Sequence, residues 1–118
     1  MAVFTTTVLS IGVEAELFRQ ENMIILFGKD APAALADYCY NIEVQPMNGT
    51  ITSEQKLWID DQSYQITSVG DVVSRNLQEL GHITIKFDGS STSELPGTLY
   101  VEAKTIPVIE KGTKISIK

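Results

Sequence analysis

The chain has a single cysteine, Cys39, a single histidine, His82, and a single tryptophan among its 118 residues. One cysteine excludes an internal disulfide and a cysteine-built zinc site. One histidine, with no other metal-ligating residues at a useful spacing, weighs against a metal centre of any kind. Long apolar runs are missing as well. Met23-Ile24-Ile25-Leu26-Phe27 is the longest, and a membrane-crossing helix needs about 20 such residues. Positive charge is scarce: nine Lys and Arg stand against fifteen Asp and Glu, a net charge of −6. Nucleic acid is a poor partner for that surface, because phosphate contacts require clustered Lys and Arg. There is no G-x-S-x-G, P-loop or dinucleotide-binding fingerprint, which removes the common hydrolase and nucleotide readings.

The start of the chain, Met-Ala-Val-Phe-Thr-Thr-Thr, has neither a basic leader nor a long apolar stretch, so no signal peptide is expected. Together with the lone cysteine this points to a reducing, cytoplasmic setting. Hydrophobic residues make up 43% and charged residues 20%, as in an average soluble domain, and the length suits one domain over residues 1–118.

Most of the chain reads as short β-branched segments separated by turn residues. Segment 3–9 carries Val3, Thr5 and Thr7, and segment 22–28 is nearly continuously apolar, the pattern of a strand buried on both faces. Trp58-Ile59 and Tyr64-Gln65-Ile66-Thr67 flank Asp60-Asp61-Gln62-Ser63, which reads as a hairpin turn. Leu99 and Val101 alternate, as do Ile115 and Ile117, with a turn expected at Lys111-Gly112. Asn48-Gly49 reads as another turn, of the pair favoured in hairpins. Many short strands at this spacing predict a mainly β, barrel-like single domain with one or two short helices.

Two segments carry helical signals. Residues 31–38 have Pro32 at the start and helix formers after it, enough for one or two turns. Farther on, Val73, Leu77 and Leu80 fall at i, i+4 and i+7, with Asp71 placed to cap the helix and Gly81 placed to end it. His82 follows at once. From there Ile83, Ile85 and Phe87 alternate with His82, Thr84 and Lys86. As a strand, 82–87 puts the apolar three in the core and turns His82 outward, with a hydroxyl and an ammonium on the same face.

Taken alone, a single outward histidine is more often a surface residue than a functional one. Ser90-Ser91-Thr92-Ser93 could cradle phosphate oxygens but reads first as a solvated loop, and Cys39 reads as a small buried hydrophobe.

The block from Asn76-Leu77-Gln78-Glu79-Leu80-Gly81-His82 through Ile83-Thr84-Ile85-Lys86-Phe87-Asp88-Gly89, preceded by Val69-Gly70, resembles the signature of a known family. That family is the glucitol/sorbitol-specific IIA component of the sugar phosphotransferase system. Ala31-Pro32 through Asp37-Tyr38-Cys39 and Pro96-Gly97-Thr98 resemble it in the same order, so nearly the whole chain is covered. The resemblance implies a phosphotransferase component without a cofactor. The phosphocarrier protein HPr would phosphorylate a histidine on it, and the IIB part of the IIB/IIC membrane permease would receive the group and phosphorylate the hexitol. A homodimer is compatible with it. Some relatives carry a histidine shortly after the Tyr-Cys pair, where this chain has Asn41, Ile42 and Glu43, so an active carrier is left with His82.

Imidazole suits such a relay. Its reference pKa of about 6.5 leaves a neutral nucleophile near pH 7 that is also a good leaving group. Around His82, Lys86 is placed to neutralise phosphoryl oxygens, Thr84 and the amides near Gly81 to donate to them, and Glu79 or Asp88 to hold the other ring nitrogen. Lys86 is more often a plain solvated strand residue than a phosphoryl contact. The alternative, from a different class, is a non-catalytic or regulatory β-domain of the same fold that binds a protein or small ligand.

Overall fold

In the computed structural model, residues 2–118 are described. Eight strands form a closed barrel: β1 (Phe4–Ile11), β2 (Met23–Phe27), β3 (Tyr40–Ile42), β4 (Lys56–Ile59), β5 (Gln62–Val69), β6 (Ile83–Lys86), β7 (Thr98–Val101) and β8 (Lys114–Ile117). Around the barrel they run β1-β3-β2-β6-β7-β5-β4-β8, with β8 closing onto β1. β2 pairs with β3 and β6 with β7 in parallel, and the other six ladders are antiparallel. Closure removes the exposed edges that would otherwise invite pairing with another chain.

The predicted barrel is therefore the observed one, and period-two alternation accounts for most of its lining. Ile83 and Ile85 on β6, Ile24 and Leu26 on β2, and Ile115 and Ile117 on β8 all point into one core and are almost fully buried. Phe87, just past β6, is buried too and meets Tyr64 edge-on at 5.0 Å between ring centres.

Several local expectations need correcting. The hairpin turn between β4 and β5 is Asp60-Asp61 alone, since Gln62 already pairs with Ile59. Asp60 adopts φ 52° there, and it fastens the turn to β8 by accepting from the Lys114 amide. Asn48-Gly49 lies in an irregular connection between β3 and β4 and joins no hairpin. All four residues of β7 are buried, so Leu99 and Val101 do not alternate with exposed neighbours. On β2, Met23 and Ile25 are only half-buried.

Two α-helices complete the fold. α1 (Ala33–Ala36) is a single turn beginning after Pro32. α2 (Val73–Leu80) buries Val73 and Leu77, as its spacing predicted. Leu80, however, is 40% exposed. Asp71 does not cap α2. Val72 occupies that position without a side-chain bond, and the first amides are satisfied by main chain instead, Val72 donating to Pro96 and Val73 to Gly70. Main-chain carbonyls, one of them from the β6–β7 connection, thus stand where sequence logic proposed a side-chain cap.

Candidate functional site

His82 is placed by the end of α2. Gly81 takes the left-handed conformation, φ 68°, and its amide donates to the Leu77 carbonyl at 3.0 Å, while the His82 amide reaches the Asn76 carbonyl at 3.2 Å. A side chain is strained at that φ, so glycine suits the reversal from helix to strand. Both amides are thereby occupied and are not free to bind an anion, contrary to the expectation for the amides near Gly81.

Across the ladder Leu26 faces Ile83, which puts Phe27 beside His82. The two rings stack, with centres 4.1 Å apart and planes 19° from parallel. The imidazole Nδ1 lies 3.1 Å from the Leu26 carbonyl oxygen. A carbonyl only accepts, so this contact assigns a hydrogen to Nδ1, which in the neutral imidazole leaves the lone pair on Nε2. His82 faces away from the barrel core, as its alternation with Ile83 predicted, but it is half-buried there and held at two points.

The ring forms part of the wall of a cavity of about 350 Å³, together with Phe18, Ile25, Leu35, Tyr38, Cys39 and Thr84. Phe18 sits on a 3-10 turn (Leu17–Glu21), and Leu35 and Tyr38 belong to α1 and the residues after it. Phe18 and Tyr38 pack on each other at 5.9 Å. The surroundings are chiefly apolar, so a partner covering this cavity would exclude water from the imidazole.

Of the supporting residues proposed from sequence, Thr84 is brought beside His82 in this cavity. Lys86 shares the outer face of β6, but at strand rise its Cα is about 13 Å from that of His82, and its ammonium pairs loosely with Asp88 at 3.9 Å. Asp88 also accepts from the Ser90 amide. Glu79 lies elsewhere, lining a separate depression with Met47, Ser74, Arg75 and Gln78. Neither carboxylate hydrogen-bonds the imidazole. Leu26 takes that role, and no side-chain pattern could have announced a backbone carbonyl.

Sequence reasoning also missed Phe27. Its signal was present: segment 22–28 is apolar on both faces, yet the outward face of a barrel strand is normally solvated. Ile25 and Phe27 are apolar there because the cavity and the imidazole cover them. The serine run at 90–93 is not part of the cavity. The Ser90 carbonyl accepts from Thr67, and the Ser68 and Ser93 hydroxyls hydrogen-bond each other.

Cys39 adjoins the ring cavity but is 3% exposed. Burial raises its thiol above the ordinary pKa, and its Sγ donates to the Leu35 carbonyl at 3.1 Å. The thiolate is the reactive form, so Cys39 is expected to resist iodoacetamide at pH 8 in the folded protein and to react promptly in denaturant. Rapid alkylation of the native protein, followed by mass spectrometry, would contradict this burial.

Comparison with known proteins agrees with this architecture. Residues 3–116 match the family described as "PTS system glucitol/sorbitol-specific IIA component". Proteins of that description from Shigella flexneri and Escherichia coli are each 32% identical over 116 residues, covering 98% of this chain and 94% of their own length. The crystal structure of a PTS system IIA component from Enterococcus faecalis superposes with a TM-score of 0.80 at 29% identity, covering 95% of this chain and 97% of that one. No helix among the described residues is long and apolar enough to cross a membrane, and no group of three or more His, Cys, Asp or Glu side chains among them could hold a metal ion. With a barrel that places a lone, oriented imidazole on the wall of an apolar cavity, and with relatives matching over almost their whole length, the chain belongs to the glucitol/sorbitol-specific IIA component family of the phosphotransferase system.

Proposed function

We propose that this protein is a histidine phosphocarrier in which Nε2 of His82 accepts a phosphoryl group from HPr and passes it to the IIB part of a glucitol/sorbitol permease. The observation that carries the reading is the contact of Nδ1 with the Leu26 carbonyl. It holds the neutral ring in the tautomer whose Nε2 lone pair is available for attack.

The step balances simply. The Nε2 lone pair forms the new N–P bond while the bond between phosphorus and the donor breaks, its electrons leaving with the donor. The phosphorylated ring keeps its Nδ1 hydrogen and carries positive charge, which the Leu26 carbonyl stabilises without any proton transfer. Transfer to IIB reverses the sequence, with the ring as leaving group. Phosphoryl transfer depends mostly on positioning and charge neutralisation. The Thr84 hydroxyl, beside the ring, is suited to donate to a phosphoryl oxygen. Lys86, released from its loose pairing with Asp88, would supply positive charge at longer range. Glu79 takes no part in this scheme, and Gly81 serves by setting the turn that delivers His82.

Incubation with the general phosphotransferase enzymes, HPr and labelled phosphoenolpyruvate should label the chain. The label should be lost in mild acid and kept in mild alkali, because a P–N bond has the opposite lability to a serine or threonine ester. An alkali-labile, acid-stable label would refute the histidine assignment. No label at all, where a relative is labelled in the same mixture, would favour the non-catalytic β-domain.

A further inference from the structure

Across the barrel wall, three strands bring Asn41, Phe27 and His82 into one row. Phe27 pairs in register with Asn41 on one side and adjoins His82 on the other. The β2–β3 ladder spans only Leu26–Tyr40 and Phe27–Asn41, so the end of β2 has little main-chain support beyond Phe27. The Asn41 side chain supplies it. Its Nδ2 donates to the Gly28 carbonyl at 3.0 Å and to the Phe27 carbonyl at 3.3 Å. The Gly28 amide in turn donates to the Leu80 carbonyl at 2.9 Å, immediately before Gly81 and His82.

We infer that Asn41 is a positioning residue for His82, pinning the end of β2 so that the Leu26 carbonyl and the Phe27 ring hold the imidazole in one tautomer and one orientation. The inference rests on the reading of His82 as phosphoryl acceptor for its kinetic consequence, but not for the state of the ring. Without the two Nδ2 bonds, two strand-end carbonyls turn to water and the segment carrying both ring contacts is free to shift. A shift of about 1 Å is enough to break a 3.1 Å hydrogen bond. Asn41 touches neither the ring nitrogen nor the phosphoryl group. Its effect passes through Leu26, Phe27 and Gly28.

The lone histidine makes the test direct. With ¹⁵N-histidine labelling, the ring resonances come from His82 alone. At a pH where the ring is neutral, the intact protein should show a protonated-type Nδ1 and an unprotonated-type Nε2. Asn41→Ala should move both toward the averaged shifts of a ring exchanging between tautomers. In the same variant phosphorylation by HPr should slow about tenfold or more, the scale expected when a reacting group is misplaced by about 1 Å. A merely structural role would lower the unfolding midpoint and leave the ring shifts of the folded protein unchanged, which would overturn the inference. So would a Nδ1 that is already unprotonated before any substitution. Should Asn41→Ala fail to fold, Asn41→Leu keeps the branched shape while removing the amide that makes both bonds, and its ring shifts are read the same way. Because the shifts need no phosphoryl transfer, averaged shifts in Asn41→Ala alongside an unsubstituted protein that takes up no phosphate would reject the carrier reading and leave the positioning role standing.

Discussion

His82→Gln should abolish acid-labile phosphorylation while leaving the barrel folded. Glutamine keeps a comparable length and a donor that can reach the Leu26 carbonyl, but it has no lone pair able to form a stable N–P bond. Two contacts weaken, the stack on Phe27 and the bond from Nδ1. The side chain is only half-buried, so the cost in stability should be roughly 1 kcal/mol, within the ordinary range for a single substitution. The two readouts separate cleanly. Denaturant unfolding should shift modestly with an unchanged slope, and labelling by HPr should disappear. A His82→Gln protein that still takes up acid-labile phosphate would rule out His82 as acceptor. No other histidine exists in the chain to replace it.

Gly28→Ala should be the more damaging change to the fold, even though it adds a single methyl group. A Cβ at residue 28 would fall 2.4 Å from Cγ2 of Val44 and 2.5 Å from the Leu80 carbonyl oxygen. The valine can rotate, but the carbonyl is main chain and accepts the Gly28 amide. Relief therefore requires moving the end of α2, and Gly81 and His82 with it. Overpacking of this kind costs roughly 2–3 kcal/mol. Gly97→Ala is the control: the nearest atom to its added Cβ is Nδ2 of Asn76 at 3.9 Å, ordinary contact, and its effect should stay within about 0.5 kcal/mol. Chemical denaturation of the two variants side by side makes the comparison. Equal stabilities would mean that the close approach of β2 to the end of α2 is not as described. The folded fraction of Gly28→Ala should also accept phosphate more slowly, because its Leu26 carbonyl and His82 ring no longer meet in register.

The barrel and the candidate histidine were both legible in the residues for local reasons. Alternation of Ile83, Ile85 and Phe87 is a property of six consecutive positions, and burial of all three follows from the pleat. The stop at Gly81 is equally local, a single φ that disfavours a side chain. Asp71 shows where such reasoning fails. A side-chain cap is the best offer available within the segment, but the structure uses main chain instead, the Pro96 carbonyl from the β6–β7 connection taking the Val72 amide and the Gly70 carbonyl taking that of Val73. The two carboxylates proposed to orient the imidazole fail for the same reason. Glu79 and Asp88 are near His82 in sequence, whereas the group that orients the ring is 56 residues away and is a backbone atom.

By itself, then, the sequence determined most of the strand segments, though not β3, which residue ends α2, and that any histidine chemistry belongs to His82. Each depends on short-range periodicity, backbone permissiveness or plain residue count. Only the tertiary structure decided what surrounds that histidine: the Leu26 carbonyl that orients it, the Phe27 ring that supports it, the Asn41 amide that steadies both, and the apolar wall from Phe18, Leu35 and Tyr38. Those partners come from β2, β3, α1 and the 3-10 turn. Closing the barrel in the order β3-β2-β6 brings the three strands side by side, and long-range pairing of that kind leaves no periodic signal in the segments it joins.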